Sequence, residues 1–118
     1  MTGTPIQITF RGLAPSEALE AEIRERARWL EQFHGTLLGC RALLEVPHRR
    51  RHSGRQLHIR LELSVPGRLL TVAHDTEITR ARYAGAAIHE AFDKMRRCLQ
   101  DFAREQRHDV KTHAAPAM

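Results

Sequence analysis

At 118 residues the chain holds one domain with one core and is too short for two. Its 42% hydrophobic and 28% charged residues are the proportions of a globular domain rather than a disordered tail, and no apolar run reaches the roughly 18 to 20 residues of a membrane span. The formal charge of +5 is concentrated in one place: between Val46 and Leu61 lie Arg49, Arg50, Arg51, Arg55 and Arg60 and no acid, so the 19 Lys and Arg against 14 Asp and Glu of the chain fall to 14 against 14 elsewhere.

Residues 6 to 10 alternate Ile6, Ile8 and Phe10 with Gln7 and Thr9, the period of a strand with one buried face, and Gly12 breaks it. Pro15 fits the first turn of a helix, where its missing N–H would be unpaired anyway, and Glu17 and Glu20 suit a helix start. That helix is expected to run to about His34, with Gly35 as its stop. Leu19, Ile23, Ala27, Leu30 and Phe33 form its single apolar stripe. Glu20 with Arg24, and Glu22 with Arg26, have the spacing and order of pairs that stabilise a helix by roughly 0.2–0.5 kcal/mol each.

A second strand is expected from about Leu37 to Val46, with Leu38, Cys40, Ala42, Leu44 and Val46 on the core face and Arg41 and Glu45 opposite. A basic loop follows, PHRRRH, with Ser53-Gly54 as its turn. The third strand is the clearest element: Leu57, Ile59, Leu61, Leu63 and Val65 alternate strictly with His58, Arg60, Glu62 and Ser64. Pro66-Gly67 turns the chain into a fourth strand, from Leu70 and Val72 towards His74, after which DTEITRAR reads as polar and irregular. A second helix is expected from about Arg80 to Arg107, burying Ala84, Ala87, Ile88, Ala91, Phe92, Met95, Leu99 and Phe102. Arg97 and Arg104 point outward from it, with Lys94 and Arg96 on the flanks, and Glu90 to Lys94 and Asp93 to Arg97 again have the pairing spacing. The tail after His108 has no periodicity, which divides the chain into a domain over 1–107 and a flexible tail over 108–118.

Four one-sided strands and two one-sided helices close one two-layer α+β arrangement: β-α-β-β-β-α, a four-stranded, mostly antiparallel sheet with both helices on one face. Cys40 and Cys98 read as free, buried thiols in a reducing compartment. The N-terminus lacks the basic and apolar regions of a signal peptide, and the expected location is cytoplasmic.

A cluster of cations without acids repels itself and sits at a surface, where it concentrates polyanions; the partner expected is nucleic acid. With few aromatics, recognition by phosphate neutralisation is better supplied than stacking of bases. If five arginines each displaced a counterion, log affinity would fall with log salt at a slope of roughly −3.5 to −4.5. His48 and His52 flank the arginines and would gain charge as pH falls, strengthening that grip. They lack the helix placement and the Cys or carboxylate neighbours of a metal site, so no metal or other cofactor is expected. No glycine-rich phosphate loop, nucleophile elbow or HExxH occurs, so the chain reads as a non-enzyme without a small-molecule substrate.

Three segments, PSEALEAEIRERARWLEQF, CRALLEVPHRRRH and AIHEAFDKMRRCLQDFAREQ, together resemble the ribosome hibernation-promoting factors, also called ribosome-associated inhibitors or sigma-modulation proteins. The resemblance spans about Ile6 to Arg107. It implies a non-enzymatic protein lying between head and body of the small ribosomal subunit, where it overlaps the places of messenger and transfer RNA and inhibits translation in resting or stressed cells. By match to DKMRR it implies ribosomal RNA contact from Lys94 and Arg97, with Arg96 as a further local candidate. It implies contact from the loop His48, Arg49, Arg50, Arg51 and His52 as well. Arg55, Arg60 and Arg104 complete the candidate RNA-binding set. Long members of the family carry a further C-terminal domain that joins ribosomes, and with the chain ending at Met118 no such joining is expected of it. Two competing readings are a stand-alone double-stranded RNA-binding module and a protein-binding regulator.

Overall fold

The computed structural model describes residues 4–33, 37–47, 55–78 and 84–114, with backbone alone at 55, 78 and 108–114. The elements are β1 (Ile6–Arg11), α1 (Glu17–Phe33), β2 (Gly39–Glu45), β3 (Arg55–Val65), β4 (Arg68–Ile78) and α2 (Ala84–Ala114). The strands lie in the order β1-β2-β3-β4. β1 and β2 are parallel, because α1 carries the chain back between them; β2, β3 and β4 are antiparallel neighbours. This is the expected two-layer architecture.

One face of the sheet is sealed by the helices. Cys40, Ala42 and Leu44 of β2, Leu57, Ile59, Leu61, Leu63 and Val65 of β3, and Leu70 and Val72 of β4 are buried against Ile23, Ala27 and Leu30 of α1 and the apolar stripe of α2. Burying a side chain of that size contributes about 1.5–3 kcal/mol, which is what holds two helices whose intrinsic propensity would not keep them formed. β1, at the sheet edge, is only half covered through Ile6, Ile8 and Phe10. Cys40 and Cys98 are free thiols, Cys40 buried as expected and Cys98 only partly so, and burial pushes the Cys40 thiol up to about 11, so it stays neutral in the core.

Several boundaries differ from those read off the sequence. Pro15 lies outside α1, because Ser16 caps it: its Oγ accepts from the Leu19 N–H at 3.2 Å, and its carbonyl accepts the Glu20 N–H at 2.9 Å. Leu38 and Phe33, expected in the core, are 56% and 42% exposed, since β2 begins only at Gly39 and α1 ends at Phe33. The first half of DTEITRAR is strand rather than irregular: β4 pairs with the whole length of β3, from Arg68 opposite Val65 to Ile78 opposite Arg55. An edge strand needs backbone pairing more than apolar content, and Asp75 gains a partner there in His58. α2 continues past Arg107 to Ala114, and its expected first turn, 80–83, lies outside the described residues.

Gly12 ends β1 with φ of 80°, in the left-handed region, and lies where Val46 donates its N–H to the Arg11 carbonyl at 2.9 Å. A Cβ on Gly12 would collide with the Val46 carbonyl oxygen. We expect Gly12→Ala to destabilise the fold by more than about 1 kcal/mol, seen as a lower urea midpoint at unchanged slope; an unchanged midpoint would show that this corner is not fixed.

Candidate nucleic-acid interface

The sheet face away from the helices is polar and internally paired. Along one row run Arg11, Glu45, His58 and Asp75, one residue from each strand, basic and acidic side chains in alternation. Arg11 approaches Glu45 at 4.0 Å, and His58 meets Asp75. Further along, Glu62 receives both Arg41 and Arg60, each at 3.3 Å. The candidate Arg60 is thus half-exposed but shares a carboxylate, and this face has little net charge to offer a polyanion.

The other candidates separate. His48, Arg49, Arg50, Arg51 and His52 lie outside the described residues, and Arg55 is described only as the first backbone residue of β3. The chain leaves the sheet after Glu45 and re-enters at Arg55, so the basic segment departs from the end where β1 also finishes, with Arg11. Lys94 and Arg97 stand on α2 and make no ion pair with another described residue. The expected partner of Arg97, Asp93, instead faces Arg26 of α1 at 3.6 Å. Arg104 is exposed and loosely held by Asp101 at 3.2 Å, both side chains more than 60% exposed, a contact that contributes little in water. Arg97 and Arg104, seven positions apart, project from one side of α2 into solvent.

Arg96 takes another course. Its guanidinium carbon lies 5.6 Å from the centre of the Trp29 ring, and that of Arg26 lies 4.2 Å from the same ring. This is the last of three rungs between the helices: Glu22 meets His89, Arg26 meets Asp93, and Trp29 meets Arg96. Positions 22, 26 and 29 of α1 match 89, 93 and 96 of α2 in rising order, so the two helices run side by side in the same direction. Glu22 and Arg26, expected to pair within their helix, each reach across it instead. The sequence carried a signal of this seam in the mirrored order of acid and base at equal spacing, Glu22/Arg26 against His89/Asp93. Trp29 and Arg26 were not among the candidates.

Elsewhere on the described surface His74 of β4 contacts Glu90 of α2 at 2.9 Å, and Arg68 meets Glu105 at 2.8 Å while lying over the Phe102 ring at 5.2 Å. At the other sheet edge Thr4 donates its N–H and hydroxyl to Glu31, which holds that carboxyl below the usual carboxylate range. Among the described residues no three His, Cys, Asp or Glu side chains come together as a metal site, and no helix is long and apolar enough to cross a membrane.

The family model described as Sigma 54 modulation protein / S30EA ribosomal protein matches residues 6–107. Among solved structures, the chain is similar to the N-terminal domain of Protein Y from Thermus thermophilus, with a TM-score of 0.65, 17% identity, and coverage of 84% of this chain and 99% of that one. It is also similar to a ribosomal subunit interface protein from Coxiella burnetii, with a TM-score of 0.70, 11% identity, and coverage of 86% and 99%. No curated protein matches the chain by sequence.

Proposed function

The chain belongs to the Sigma 54 modulation protein / S30EA ribosomal protein family, a family of non-enzymatic factors, and from that membership we propose that it is a cytoplasmic ribosome hibernation factor. In this reading it lies in the messenger and transfer RNA path of the small subunit and stops translation in resting or stressed cells. The family match over residues 6–107 is the observation that carries the proposal. The charge pattern supports it: the open sheet face is paired within itself, whereas Lys94 and Arg97 of α2 have no acid partner among the described residues. The basic segment His48, Arg49, Arg50, Arg51 and His52, with Arg55, supplies further cations at one end of the sheet. Ribosomal RNA offers these groups phosphates at fixed positions, and neutralising them requires neither a particular base nor a catalytic group.

The test is sedimentation of the purified chain with small ribosomal subunits across a range of salt, with transfer RNA as competitor. Saturable binding that weakens steeply with salt and is displaced by transfer RNA is the expected result. Failure to cosediment even in dilute buffer, or equal affinity for random duplex RNA, would overturn the reading.

A further inference from the structure

We propose that Arg26, Trp29 and Arg96 form a seat for one phosphate group of the RNA backbone at the α1–α2 seam, with Trp29 as the positioning residue that fixes the two guanidiniums. The inference rests on the ribosomal reading above and adds a contact to it. Of the three rungs between the helices, the first two set an acid against a base, Glu22 with His89 and Asp93 with Arg26. The third has no acid. Arg96 makes no ion pair with a described residue, and Arg26 divides itself between Asp93 and the ring. An indole attracts a cation through its ring electrons but does not neutralise it, so Arg96 keeps its full charge beside an Arg26 that Asp93 compensates from one side only, an arrangement that an anion between the two guanidiniums would relieve.

The donors left available favour phosphate. The Nε of Arg26 and the Nε of Arg96 are both buried without an acceptor, and one outer nitrogen of Arg26 faces Asp93, so a ligand meets the outer fork of Arg96, which matches two phosphate oxygens, and the second outer nitrogen of Arg26. Free arginines lose rotamer freedom on binding, whereas these two are already held against the ring, and binding gains from that preorganisation. The exposed Arg97 and Arg104 belong to the same helix and give a polynucleotide further phosphate contacts that an isolated anion would not use.

Trp29 is the only tryptophan of the chain, so its emission reports on the seat directly. The full chain is titrated with a labelled polyuridylate oligonucleotide and, separately, with inorganic pyrophosphate. The expected result is a saturable change in Trp29 emission that follows the anisotropy of the oligonucleotide, with pyrophosphate acting only at far higher concentration. On small subunits Arg96→Gln and Trp29→Leu should each weaken binding about three- to tenfold, and Trp29→Tyr, which keeps an aromatic face, should stay near the parent. Thermal melts of each variant separate this from loss of fold. Trp29 emission that stays constant while anisotropy shows the oligonucleotide bound, or an Arg96→Gln protein that binds subunits like the parent, would overturn the seat. Pyrophosphate saturating at the same concentration as the oligonucleotide would overturn the assignment to RNA. Each is distinct from failure of the parent chain to cosediment, which would remove the ribosomal reading itself.

Discussion

Replacing Arg49, Arg50 and Arg51 together with alanine should lower affinity for small ribosomal subunits on the order of a hundred- to a thousandfold in dilute salt, and flatten the slope of log affinity against log salt by about 2 to 3. Three of the five excess positive charges of the chain are removed at once, from a stretch without a single acid between Val46 and Leu61. Each lost phosphate contact also leaves a counterion on the RNA that binding no longer releases, which is why the slope changes with the affinity. Stability should move little, because the buried cluster among the described residues is built from the sheet and helices on either side of this segment. Equal affinity and equal slope in parent and variant would take the segment out of the interface and leave the work to α2.

Phe92→Ala is the substitution with the largest expected effect on the fold. Phe92 is fully buried and, among the described residues, the largest side chain so enclosed, on the α2 stripe between Ile88 and Met95. Truncating it removes transfer energy and leaves a cavity, a loss of about 3–5 kcal/mol against a total of roughly 5–15 kcal/mol for a domain. Because both helices and the sheet share one buried cluster, the loss should appear as a single shifted unfolding transition. Ribosome binding should weaken near the new midpoint, since Lys94 and Arg97 are carried by the same helix. A shift of less than about 1 kcal/mol would mean that α2 is not docked as described.

The architecture was legible because one-sided elements announce themselves. The strict alternation from Leu57 to Val65 and the stripe from Ala87 to Phe102 each fix a face, and those faces have one common way to close. What escaped was decided by neighbours far along the chain. The second half of β4 is polar, and only pairing with Arg55–Leu57 and the meeting of Asp75 with His58 make it a strand. Charge pairing misled for the same reason: Glu22 and Arg26 satisfy a helical spacing rule, yet each finds a closer partner on α2. The candidate site was legible as composition, in the acid-free stretch and in DKMRR. Its division was not, because whether Arg60 shares a carboxylate or Arg96 turns to an indole depends on which elements pack side by side.

The common direction of α1 and α2 has an electrical consequence. Both helices begin at the end of the sheet where β2 gives way to the basic segment and β3 resumes at Arg55. Aligned peptide groups place about half a positive charge at the start of each helix. Glu17 and Glu20 offset it in α1, while the first turn of α2 carries no acid. The positive start of α2 is therefore left uncompensated by its own first turn, at the end of the sheet that β1 and β2 also reach. Toward the polyanion proposed above, that end would be drawn in first, over a range that salt shortens to about 8 Å under physiological conditions.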